Sequence, residues 1–192
     1  MENTTNSIKR VKKVFNINAE KSFREACDLF YLKNYNQSLT LLNKVVELDK
    51  THTKAHLLIG DIRLLHGKDE REALNAYENA IKSNPYSPQA YGSKAYVLDI
   101  LGKTQEALDS CNLAFENSSK LDDDQLCSLF DQKISLLCTL NRYEEAQTTL
   151  ETAAKTLPSD NVDYLKSCYM HKINSNRKSK KQSSQTNLRL LF

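Results

Sequence analysis

Apolar residues recur along this chain at helical spacing, in pairs of short stretches separated by a turn. Residues 53–87 show the plan most fully. Gly60 lies on a first amphipathic stretch, Gly67 opens a turn, Ala73, Tyr77 and Ala80 share one face of a second stretch, and Pro85 stops it. Residues 88–121 repeat this order as Ala95, Gly102, Ala107, Cys111 and Ala114. Ala73 to Ala107 and Ala80 to Ala114 are both 34 residues apart, the period of a helix-turn-helix repeat.

Two further copies register with these. The first, 19–52, has Ala26 and Leu29 on its first helix, Tyr35 after the turn, and Ser38, Leu42 and Val45 on its second. Lys50 stands where the second copy has Pro85, which predicts a less sharp stop. Ser38 to Ala73 is 35 residues, so the second copy carries one extra residue, placed in the turn at 67–69. Ala107 to Ala146 is 39 residues, and the added link at 118–125 contains Asp122, Asp123 and Asp124. Carboxylates there suit the first turn of a helix, where they meet the positive end of its dipole. The fourth copy, 127–160, carries Ala146, Leu150, Ala153 and Pro158, with Ile134 where a small residue belongs. Ser159 and Asp160 then start a last helix, about 161–172, bearing Val162, Leu165, Cys168 and Tyr169 at helical spacing. A repeat array needs such an element to cover its final apolar face.

The order small residue, glycine turn, alanine, aromatic, alanine, proline resembles the tetratricopeptide repeat, and four registered copies cover residues 19–160. The resemblance implies an all-α fold, a right-handed α-solenoid of about four helical hairpins plus a C-terminal capping helix. It also implies protein binding as scaffold or adaptor, with the first helix of each copy lining a concave groove. In register, that groove takes Phe23, Cys27, Phe30 and Tyr31 from the first copy and Leu57, Leu58, Asp61 and Leu64 from the second. The third adds Tyr96 and Asp99, and the fourth Asp131, Ser135 and Cys138. Relatives that grip a carboxylate terminus of chaperones do so with Lys, Asn and Arg. The matching places here hold Phe23, Cys27, Leu58, Gln89 and Ser93, so that clamp is missing.

Composition agrees with helix: only 4 glycines and 3 prolines stand in 192 residues, too few for the turns of an all-β chain. The longest uncharged apolar run, residues 134–141, is far short of the ~20 residues of a membrane helix. Five cysteines without CxxC spacing, and no hydrophobic leader, predict reduced thiols and a cytoplasmic protein. The net charge of +3 is unevenly spread: +3 over residues 1–18, +6 over 172–192, and −6 between them. The expected layout is a flexible basic segment 1–18, an array 19–172, and a basic disordered tail 173–192.

The motifs that suggest chemistry have structural readings. Gly102-Lys103-Thr104 ends like a phosphate-binding loop, but Val97 stands where that loop needs glycine. His52 and His56 are four apart without a third ligand, and the thiols fall on packing positions, so neither metal, cofactor nor catalytic group is expected. Two partner readings remain. A peptide or helix of another protein would lie in the groove, or the chain's own tail would dock there through Lys178, Lys180, Lys181 and Arg189 with the apolar residues after them. The alternative is a peripheral subunit whose basic ends touch nucleic acid or an anionic membrane surface, against which the acidic array argues.

Overall fold

The computed structural model describes the backbone of residues 2–189 and the side chains of residues 17–175. Among the described residues there are nine α-helices and no strand, so the all-α expectation holds. In chain order they are α1 (Glu2–Tyr31), α2 (Tyr35–Leu48), α3 (Thr53–Ile62), α4 (Glu70–Ser83), α5 (Pro88–Ile100), α6 (Thr104–Glu116), α7 (Asp123–Thr139), α8 (Tyr143–Thr156) and α9 (Ser159–Arg189). The chain divides into two compact units, 1–97 and 98–192, with the boundary inside α5. The backbone is helical on both sides of residue 18 and of residue 172, at the two edges set by composition. No glycine or proline interrupts either segment.

In the first unit α1 packs on α2, α2 on α3 and α3 on α4. Its core gathers Ala19, Ala26, Leu42, Val45, Ala55 and Ile62, with Phe23, Phe30 and Leu58 packed against them. The small residues that define the repeat are sealed here: Ala26, Ser38, Ala55, Ala73 and Ala80 are all 0% exposed. Ser38 takes the alanine position of the first copy without cost, because its hydroxyl donates to the Ala26 carbonyl at 2.7 Å. In the second unit α6 packs on α7, α7 on α8, and α9 on both α7 and α8. Ile134 is fully buried at its small-residue position, and Val162, Leu165 and Ile173 bury the inner face of α9.

Each hairpin turn puts one residue in the left-handed region, five positions before the small residue of the second helix. These are Lys33 (φ 61°), Lys68 (φ 50°), Gly102 (φ 74°) and Asn141 (φ 57°). In three turns the next N–H reaches back five residues: Asn34 to Leu29, Lys103 to Leu98, and Arg142 to Leu137. In the second turn Asp69 reaches back six, to Arg63, and residues Arg63–Gly67 form a π-helical turn. The extra residue of the second copy is therefore absorbed before the turn rather than at 67–69. Lys68, not Gly67, holds the left-handed position.

The other helix boundaries follow from capping. Asp122 accepts from the Gln125 N–H at 2.8 Å and Gln125 answers to the Asp122 N–H, a reciprocal box that starts α7. Asp69 caps α4 through the Glu72 N–H, and Ser87 caps α5 ahead of Pro88. The less sharp stop expected at Lys50 is not seen: α2 ends at Leu48. Asp49 makes the stop that proline makes elsewhere, accepting from both the N–H and the hydroxyl of Thr51 at 2.9 and 2.7 Å.

Candidate functional site

Most of the groove positions read from sequence fall in the first unit, and a single tyrosine organises them. Tyr77 on α4 is 1% exposed and sits in a cluster with Ala73 and Val97, against which Leu57 of α3 and Leu64 of the following π-helical turn pack. Gly60 makes room for the ring: a Cβ there would lie 2.8 Å from Tyr77 Cδ1 and Cζ, closer than real side chains pack. The phenol emerges beside α3 and donates to Asp61 Oδ1 at 2.7 Å. Ser93 and Tyr96 of α5 are close enough to influence the phenol's ionisation. Burial, with the Asp61 charge beside it, drives the Tyr77 ionisation far above its ordinary range. Burial likewise raises the Asp61 carboxyl, and the Tyr77 hydrogen bond offsets this in part.

The remaining groove positions of this unit differ in exposure. Phe23 and Phe30 are half-buried and belong to the core packing, Phe23 stacking on His52 with ring centroids 4.7 Å apart. Cys27 is half-buried, its thiol raised by burial and by the neighbouring Asp28. Tyr31 and Tyr96 are open, 80% and 53% exposed. Leu57 and Asp61 of α3, and Leu64 after it, are thus partly exposed beside the Tyr77 cluster, and Tyr96 of α5 is exposed.

In the second unit the two predicted carboxylates are also engaged. Asp99 accepts from the Thr104 hydroxyl at 3.2 Å across its hairpin turn. Asp131 accepts from Tyr169 of α9 at both its carboxylate, at 2.9 Å, and its backbone carbonyl, at 3.2 Å. The closing helix therefore covers the fourth copy's polar positions, and Cys138 is buried. Sequence spacing placed these three aspartates on the first helices but carried no sign of their hydroxyl partners. Those partners lie 5, 16 and 38 residues further on.

The chemical motifs resolve into packing. His52 accepts from the Ala55 N–H through Nδ1 at 3.1 Å and so caps α3. His56 contacts the Lys50 carbonyl. Cys111 is buried, its thiol pushed up to about 12, and burial also raises Cys138. Such thiols are poor nucleophiles. Among the described residues no three His, Cys, Asp or Glu side chains are grouped to hold a metal, and no helix is long and apolar enough to cross a membrane. The side chains of Lys178, Lys180, Lys181 and Arg189 lie outside the described residues.

Comparison with known proteins places this architecture. The tetratricopeptide repeat family matches residues 76–109, one period long and shifted by a helix from the copy at 88–121, as a repeat without a fixed start allows. A crystal structure of MamA superposes with a TM-score of 0.64 at 19% identity, covering 84% of this chain and 90% of that one. YrrB, described as a TPR protein with an unusual peptide-binding site, gives 0.63 at 15% identity, covering 88% and 97%. The first TPR of Spaghetti (RPAP3), solved bound to the HSP90 peptide SRMEEVD, gives 0.59 at 13% identity, covering 66% and 95%. No curated protein matches by sequence. The resemblance read from the residues is borne out: residues 76–109 match the tetratricopeptide repeat, and the fold is that of the tetratricopeptide α-solenoids.

Proposed function

We propose that this chain is a non-enzymatic scaffold or adaptor that binds an extended peptide or a helix of a partner protein along the first helices of its repeats. The wall built by α3 and the start of α5 is the part best suited to the task. The observation that carries the reading is the juxtaposition there of accessible carbon (Leu57, Leu64, Tyr96) with one fixed carboxylate, Asp61. Apolar area supplies affinity and the polar group sets register and orientation. Peptide binding by two proteins of like fold supports the same use, although the acidic SRMEEVD peptide calls for basic residues. The wall here presents Asp61 instead. Five cysteines without CxxC spacing, three of them buried, support a cytoplasmic setting.

The test is selection of binders from a displayed random-peptide library, followed by affinity measurement on wild type and on Asp61→Lys and Tyr96→Ala. Selected peptides should lose about tenfold or more in affinity on either substitution. Equal affinity for all three proteins would move the binding surface elsewhere. Apolar burial also predicts binding that survives moderate salt, whereas contact through the basic ends with phosphates would vanish.

A further inference from the structure

Asp61 is an unusual groove residue, because its charge has no countercharge. Its Oδ1 is held by Tyr77 at 2.7 Å, while Oδ2 has no hydrogen-bond partner among the described residues. Oδ2 is still reachable from solvent, since the only sealed side-chain nitrogen or oxygen left unpartnered among them is Nε2 of His52. The nearby cations are engaged or distant. Arg63 pairs with Glu72 at 2.9 Å, Lys94 pairs with Glu78 at 3.0 Å, and Lys54 lies about two helical turns back along α3. α5 packs on the Tyr77 ring through Val97, and the neighbouring Tyr96 side chain is half-exposed.

We infer that Asp61 and Tyr96 form a seat for one basic side chain of the bound partner, arginine in particular. The planar guanidinium can give one N–H to Oδ2 while its face lies over the Tyr96 ring, a combination open to arginine and not to the compact lysine ammonium. Tyr77 is a positioning residue in this scheme: it fixes the carboxylate rotamer and prevents Asp61 from turning out to water. The partly buried, uncompensated charge is what an incoming cation relieves, in keeping with the raised Asp61 carboxyl. Leu57, one turn before Asp61 on α3, and Leu64, three residues after it in the π-helical turn, offer apolar contact to the residues flanking that arginine.

This inference rests on the peptide-binding reading above, and its test is chosen to separate the two. The probes are acetyl-Leu-Arg-Leu-amide and acetyl-Leu-citrulline-Leu-amide, which differ in charge and hardly in shape. They are titrated into the ¹⁵N-labelled full chain and followed by amide chemical shifts. The seat predicts saturable shifts centred on Asp61, Ser93 and Tyr96 with the arginine probe. It predicts binding about tenfold weaker with citrulline. Asp61→Asn, which keeps the acceptor for Tyr77, should lower arginine affinity to the citrulline level without altering the citrulline titration. Equal affinity for the two probes, arginine shifts unchanged by Asp61→Asn, or no shift at these residues would each overturn the seat. If library-selected peptides still bind the wall without an arginine preference, the scaffold reading stands and only the seat falls.

Discussion

Gly60 and Tyr77 share one site: the ring of Tyr77 occupies the space in which any side chain at Gly60 would stand. The first copy of the repeat solves the same crossing with Ala26 and Leu42, both fully buried. Size is traded between the two helices, glycine against tyrosine and alanine against leucine. The glycine–tyrosine solution has a further effect, because only the longer side chain carries a hydroxyl to the wall where Asp61 sits.

Gly60→Ala is therefore expected to destabilise the first unit by about 1–3 kcal/mol, the range for overpacking a filled core. Urea denaturation of the full chain measures it. Adding Tyr77→Leu should return most of the loss, since leucine against alanine is the pair already used in the first copy. A double variant no better than the single one would show that the clash is not the cause.

Asp61→Asn isolates the charge. The Asp61 carboxyl titrates higher in the fold than in the unfolded chain because of burial. The folded state thus binds that proton more tightly, and the contribution of this group improves as pH falls through its folded pKa. Asparagine keeps an acceptor for Tyr77 without the buried charge. The variant should be at least as stable as wild type at neutral pH, with the difference shrinking as the solution is acidified toward the carboxylate range. Asp49 has the opposite sign: the Thr51 hydroxyl holds it below its ordinary value, so its contribution is lost on acidification. Thr51→Val should flatten that part of the acid limb.

The left-handed turn positions give a paired prediction. Lys68 adopts φ 50° and Gly102 φ 74°, and a Cβ at Gly102 would touch nothing within 4 Å. Backbone strain alone therefore decides the Gly102 substitution, and Lys68 is exposed in the same left-handed conformation. Lys68→Gly should stabilise, and Gly102→Ala destabilise, by about 1 kcal/mol each. Shifts of the same sign in the two unfolding midpoints would contradict the turn assignment.

Removing the cap of α7 tests the link that lengthens the fourth copy. Asp122→Ala leaves the Gln125 N–H without its acceptor and should cost about 1 kcal/mol. Asp122→Asn should cost less, and faster amide exchange confined to the first turn of α7 would locate the effect.

Much of this was legible in the residues. Alanine spacing fixed the hairpins because small side chains are tolerated at helix crossings only where helices approach closely, and Ala73, Ala80, Ala107 and Ala114 are all fully buried. The Asp122–Asp124 start of α7 was legible for a similar reason, since capping chemistry is local. What escaped was of two kinds. The extra residue of the second copy, read into the turn at 67–69, is taken up by the π turn at Arg63–Gly67, because a widened helical turn leaves no mark in residue type and the left-handed Lys68 gives no signal. The partners of Asp61 and Asp131 escaped because Tyr77 and Tyr169 look like core aromatics, and nothing local shows where a ring delivers its hydroxyl. At Asp49 a side-chain turn replaced proline, a substitution of mechanism that residue type at Lys50 could not reveal.

Amide hydrogen exchange of the full chain, with and without a library-selected peptide, tests the central proposal most directly. Slowed exchange in α3 and in the first part of α5, centred on Asp61 and Ser93, is the predicted result. Protection confined to α2 and α4, with α3 and α5 unchanged, would place the partner on the second helices and contradict the account.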